Sequence, residues 1–208
     1  FAVEYASKFP GGTWFVDLTE TRTLEGIIRS VAETLQVPLR DAAPPELIEQ
    51  LASAIKGRDR ALLILDNFEQ VIDHADATLG TWLRTTEHAS FIVTSRAPTK
   101  IRGEHIFSLE PLSTAEGCNL FRARAENIGV TLKSDSHTSQ AIEDIVGTLD
   151  GLPLAIELAA ARTAVLSPRQ IQDRLSQRFK LLRGGAPSPM KRQSTLEGLI
   201  QWSWELLE

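Results

Sequence analysis

Ala61-Leu62-Leu63-Ile64-Leu65-Asp66-Asn67-Phe68-Glu69 decides how the chain is read. Five apolar residues end abruptly in an acid and an amide, with a second acid two positions on. An apolar run of strand length, bounded by polar residues, predicts a strand buried on both faces of a parallel sheet. The carboxylates then emerge at its C-terminal end, which in open α/β sheets is where ligands bind.

Working outward, strands and helices alternate on both sides of this run. Phe1–Phe9 reads as the tail of a helix, with Phe1, Val3, Tyr5, Ala6 and Phe9 as its non-polar positions, and is stopped by Pro10-Gly11-Gly12. Thr13–Leu18 is aromatic and β-branched, as a strand should be. Leu24, Ile27, Ile28, Val31 and Leu35 predict a helix with Thr23 as N-cap. Pro44-Pro45 open another that stops at Gly57. A helix around Asp76–Thr86 and a strand over Phe91-Ile92-Val93-Thr94 follow, then a short strand at Ile106–Leu109. This alternation predicts a parallel sheet with covering helices.

After Pro111 the pattern is helical only. Ser113 and Glu116 form a capping box, as do Ser167 and Gln170. Ile142, Ile145, Val146 and Leu149 make one stripe. Gly151 stops that helix, and Pro153 starts the next with Leu154, Leu158, Ala161 and Val165. Gly184-Gly185 with two following prolines reads as a linker, and Thr195–Leu207 as a further amphipathic helix. The predicted domains are therefore an α/β domain over 1–110, a helical domain over 111–185, and a linker with an opening helix over 186–208.

Composition sets limits on function. The 208 residues are 42% hydrophobic and 24% charged, ordinary for a globular protein, with a net charge of −5 that disfavours a whole-surface nucleic-acid binder. Cys118 is the sole cysteine, which excludes an internal disulfide framework and fits a reducing compartment. The four histidines have no partners at metal-binding spacing, so a protein metal site is not expected. No apolar run reaches the ~20 residues of a membrane span and no signal peptide opens the chain. A cytoplasmic location is expected. The chain begins without Met and ends inside an apolar-periodic segment, so both ends are expected to be cut.

The Asp66 strand resembles a Walker B strand. With it, in order, come Phe91-Ile92-Val93-Thr94-Ser95-Arg96, Gly151-Leu152-Pro153-Leu154-Ala155, and Leu196…Trp202-Ser203-Trp204-Glu205-Leu206-Leu207. Together they resemble the NB-ARC-type STAND ATPases, the P-loop switches found in large bacterial transcriptional regulators of the SARP and LuxR-like kinds. The resemblance implies a P-loop NTPase-like core, a helical subdomain and the first helix of a winged-helix-like domain. It further implies a switch held closed by ADP and opened by ATP exchange for homo-oligomeric assembly, with sensor, output and DNA-binding domains elsewhere in the same protein. By resemblance Asp66 takes the Mg²⁺-associated role, Arg96 senses the terminal phosphate, and Gly151 and Pro153 match a nucleotide-binding Gly-x-Pro motif whose Pro packs near base and sugar.

The chain also departs from that family. Asn67 stands where many P-loop ATPases place a second acid; an amide can orient a water but cannot accept its proton. Glu69 is a weak substitute, and slow or negligible hydrolysis is expected. No lysine lies in a G-x-x-x-x-G-K-[ST] phosphate loop; Gly11-Gly12 follow a helix and precede a strand, the reverse of the required order. The resemblance would set the strand before that loop inside the sheet, so the α/β half is expected to be gapped or strained, and the 208 residues to bind nucleotide weakly. Two other functions remain open. One is an interaction scaffold without nucleotide control. The other is DNA binding through residues 169–192, where seven basic residues face one acid, although a solvated helix face carries such charge too.

Overall fold

The computed structural model describes residues 6–182, with side chains described for 7–176. The chain divides into two compact units, Phe1–Phe107 and Ser108–Glu208.

In the first unit, three parallel strands, β1 (Thr13–Asp17), β2 (Leu62–Asp66) and β3 (Ser90–Val93), lie in that order. Thr13 pairs with Leu62 and Asp17 with Asp66, while Leu62 pairs with Ser90 and Leu65 with Val93. The ladder is unbroken, so no gap separates these three strands. The crossover from β1 to β2 contains α1 (Leu24–Leu35) and α2 (Pro44–Lys56). Thr23 caps α1 by accepting from the Gly26 amide, and Gln36 closes it in a left-handed conformation at φ 55°. Between β2 and β3 the chain winds through a 3₁₀ stretch (Phe68–His74), a π turn (Asp76–Gly80) and the short α3 (Thr81–Thr85). Sequence periodicity predicts one helix there; the observed segment changes winding twice.

Ile27, Ile28, Val31 and Leu35 of α1 and Leu51 and Ile55 of α2 form one core with Val16, Leu63 and Leu65 of the sheet. Trp82 is completely buried beside them. Its indole N–H donates to the Ile48 carbonyl at 3.2 Å and its ring stacks on Phe91, centroids 6.5 Å apart.

Register explains why only one sheet face is sealed. Side chains alternate along a strand, so Trp14, Leu63 and Phe91 share a face, and Phe15, Ile64 and Ile92 share the other. Phe15 is 57% exposed and Ile92 38%. The expectation that β2 is buried on both faces is corrected in part: on this second face Leu62 is buried but Ile64 only half-buried. The strand expected at Ile106–Leu109 is absent too. Those residues have no strand pairing, and Ile106, Phe107 and Leu109 are 66%, 85% and 84% exposed. Strand-like composition alone forms no strand; pairing is needed, and this segment bonds neither β1 nor β3.

Gly11 and Gly12 have a structural use. The Gly11 amide donates to the Arg60 carbonyl at 3.0 Å, and a Cβ on Gly11 would lie 1.9 Å from the Arg58 carbonyl oxygen. Gly12 turns the chain into β1 at φ +99°.

The second unit, in its described part, contains α4 (Thr114–Asn127), α5 (Ser136–Thr148), α6 (Pro153–Ala161), a 3₁₀ turn (Arg162–Ala164) and α7 (Pro168–Leu182). Phe121, Ile142, Ile145, Ile156, Ala159, Ile171 and Leu175 belong to their shared core. Both capping boxes form. The Ser113 amide donates to Glu116 at 2.9 Å and the Glu116 amide to the Ser113 hydroxyl at 3.3 Å; the Ser167 and Gln170 contacts mirror them at 2.9 and 3.3 Å. The buried stripe of α6 is Ala155, Ile156, Ala159 and Ala160, while Leu154 and Val165 are 53% and 74% exposed. This corrects the predicted stripe. An almost wholly apolar segment leaves the inward face undetermined by periodicity. The linker, the helix expected over 195–207 with Trp202 and Trp204, and the whole 186–208 domain lie outside the described residues.

Candidate functional site at the strand ends

Parallel strands of matched length bring their C-terminal residues to one edge. Asp17 and Asp66 are direct register partners, and Thr94 follows Val93, the partner of Leu65. Asp17 is spent on a local turn: its Oδ1 accepts from the Thr19 amide at 2.8 Å and hydroxyl at 2.5 Å. Those bonds, the hydroxyl's first, hold its carboxyl below the usual range.

Asp66 is held from the neighbouring strand. The Thr94 hydroxyl donates a short hydrogen bond to Asp66 Oδ1 and accepts from the Asn67 amide at 3.1 Å. The Thr94 amide donates to the Leu65 carbonyl at 3.0 Å, and the Phe68 amide to the Thr94 carbonyl at 3.0 Å. Thr94 thus fixes the backbone after β2 and orients the carboxylate. Sequence reading placed Thr94 in a strand without giving it a role. The available signal was a hydroxyl residue at the end of the strand beside Asp66.

Asn67 sits at φ 61°, ψ 39°. Asparagine tolerates this left-handed conformation better than most residues. The turn therefore accounts for an amide following the acid without any catalytic demand.

Arg96 lies beyond β3 and donates from Nε to Glu69 Oε1 at 3.0 Å. The Arg96 side chain is 71% exposed and that of Glu69 only 17%. The structure thus assembles Asp66, Asn67, Thr94, Glu69 and Arg96 at one end of the sheet. Glu69, read from sequence as an acid at a helix start, is the partner of Arg96.

Gly151 and Pro153 belong to the other unit. Gly151 is buried at φ +67°; its amide donates to the Val146 carbonyl at 3.2 Å, and its carbonyl accepts from the Leu112 amide at 3.0 Å. Pro153 occupies the first turn of α6 and is exposed. Helix punctuation explains both residues.

No group of three or more His, Cys, Asp or Glu suited to a metal occurs among the described residues. Asp66 still fits the way Mg²⁺ is held beside phosphates, by one or two carboxylates, phosphate oxygens and water rather than an all-protein cage. Asp66 Oδ1 is taken by Thr94, leaving Oδ2 as the candidate oxygen. In the basic segment, Arg169 pairs with Asp173 at 3.5 Å; the side chains from 177 onward lie outside the described residues. No helix among the described residues is long and apolar enough to cross a membrane.

No protein-family model matches the chain. It is 36% identical over 203 residues to a Mycobacterium tuberculosis protein named "Putative HTH-type transcriptional regulator", covering 97% of this chain and 23% of that protein. An uncharacterised M. tuberculosis protein is 33% identical over 205 residues, covering 98% of this chain and 51% of its own length. The "Regulatory protein AfsR" of Streptomyces griseus is 30% identical over 167 residues, 75% of this chain and 16% of that protein. The chain thus spans about half or less of these relatives and is related, over nearly all its length, to part of a bacterial protein named as a transcriptional regulator.

Proposed function

We propose that the chain is the nucleotide-responsive segment of a bacterial transcriptional regulator, a switch of the STAND class rather than a metabolic enzyme. The observation that carries this reading is the strand-end group in which Thr94 orients Asp66 while Arg96 presents its guanidinium near the same edge. An oriented carboxylate beside phosphate oxygens suits Mg²⁺, and a guanidinium suits the oxygens themselves. Relatives named as regulators support the regulatory setting.

In this reading Asp66 holds Mg²⁺ through one carboxylate oxygen and Arg96 distinguishes ATP from ADP by the terminal phosphate. ATP exchange opens the modules for homo-oligomeric assembly, and other domains of the full-length protein sense the signal and contact DNA. The reading requires a cradle of backbone N–H groups for the phosphates, and no G-x-x-x-x-G-K-[ST] loop within the 208 residues supplies it. Mg²⁺, when bound, supplies charge neutralisation at the phosphates. With an amide, Asn67, directly after Asp66, that position orients a water but cannot take its proton, so turnover is slow.

The test is binding of Mg²⁺-ATP and Mg²⁺-ADP to the full-length protein. Binding of both, with ATP affinity selectively reduced by Arg96→Ala, supports the switch. A folded full-length protein that binds neither leaves the scaffold as the better account.

A further inference from the structure

The Arg96–Glu69 pair is asymmetric, and the asymmetry has a direction. Glu69 sits on the 3₁₀ stretch whose start is stitched to the end of β3 by the Asn67 and Phe68 amides, both bonded to Thr94. Its side chain is 17% exposed, whereas that of Arg96 is 71% exposed. The carboxylate is the fixed member and the guanidinium the presented one. An ion pair so open on one side adds little to stability.

The mode of contact matters as well. A carboxylate competing for arginine's anion-binding fork takes two parallel N–H bonds. Glu69 instead accepts one bond, from Nε. The four N–H donors on Nη1 and Nη2 have no hydrogen-bond partner among the described residues.

We propose that Glu69 is the positioning residue for Arg96: it anchors Nε so that both Nη groups face an incoming terminal phosphate. The proposal rests on the nucleotide reading above. Glu69 touches neither nucleotide nor Mg²⁺; it acts through the arginine.

The experiment measures Mg²⁺-ATP and Mg²⁺-ADP affinity by titration calorimetry in the full-length protein, comparing wild type with E69A, E69Q, R96A and the E69A/R96A pair. Matching circular dichroism and thermal midpoints qualify each variant as folded. R96A is expected to weaken ATP binding by roughly tenfold or more, with ADP nearly unchanged. E69A is expected to reproduce part of that ATP-specific loss, and E69Q, which keeps an acceptor oxygen, less of it. In the R96A background E69A is expected to add nothing. The proposal is overturned if E69A tightens ATP binding, which would make the carboxylate a competitor, or if it weakens ATP and ADP equally. Additive losses in the double variant overturn it too. Absence of nucleotide binding by the folded wild type overturns the nucleotide reading itself, a result distinct from normal ATP selectivity that ignores Glu69.

Discussion

The Thr94 hydroxyl donates to Asp66 Oδ1 across the ends of β3 and β2, and the Thr94 hydroxyl oxygen accepts from the Asn67 amide. One side chain therefore orients the candidate ligand carboxylate and pins the left-handed turn that follows it. Position and chemistry are coupled through a hydroxyl that follows β3 and serves the end of β2.

Replacing Thr94 by Val keeps the β-branched shape and removes both bonds. The chain should lose about 0.5–1.5 kcal/mol per hydrogen bond removed, partly recovered because water reaches this exposed edge. Thr94→Ser should retain most of the stability. Urea unfolding of the three proteins checks this, and equal midpoints for Val and wild type would contradict it.

Asp66→Asn preserves an acceptor for Thr94 while removing the charge. In the full-length protein Mg²⁺-ATP affinity should fall roughly tenfold, with a smaller change for ADP. Calorimetric titration with and without Mg²⁺ reads the difference. Equal losses for both nucleotides would count against a Mg²⁺-associated role.

Gly151→Ala should destabilise the second unit strongly. The backbone is at φ +67° and the added Cβ would lie 2.3 Å from the Leu112 carbonyl oxygen, so strain and backbone collision add. A loss of about 2 kcal/mol or more is expected. Gly103→Ala is the control: φ is +90° but nothing lies within 4 Å of the new methyl, so its loss should be the smaller. Chemical denaturation separates the two.

Acid should weaken the second unit through its helix caps. Glu116 is held below its usual range by the Ser113 hydroxyl and amide, and Asp135 by the Thr138 amide and hydroxyl. A carboxylate depressed in the folded state stabilises fully above its unfolded pKa, and that contribution is lost as pH falls through the lower folded value. The thermal midpoint should therefore drop below about pH 4. Ser113→Ala should lower the midpoint at neutral pH yet flatten the acid decline, because Glu116 then titrates nearer its unfolded value. Melting curves from pH 3 to 7 test the sign.

Local signals were readable where backbone chemistry is self-contained. The Thr23 cap, both capping boxes, the Pro44 and Pro153 helix starts and the Gly151 stop each depend on a few neighbouring residues. The segments that misled depend on distant ones. Ile106–Leu109 has the composition of a strand but bonds neither edge of the sheet, and the run over β2 looks doubly buried although Ile64 shares its face with the exposed Phe15 and Ile92. The α6 stripe was indeterminate because apolar residues surround the helix. At the candidate site Asp66 and Arg96 stood out by residue type and strand position. Thr94 and Glu69 did not: their importance lies in hydrogen bonds spanning 28 and 27 residues of sequence.

Direct titration of the full-length protein with Mg²⁺-ATP and Mg²⁺-ADP tests the central claim most sharply. The switch reading predicts saturable binding of both nucleotides at micromolar concentrations or below, dependent on Mg²⁺ for ATP. A folded protein showing no heat of binding with either nucleotide at millimolar concentration contradicts it.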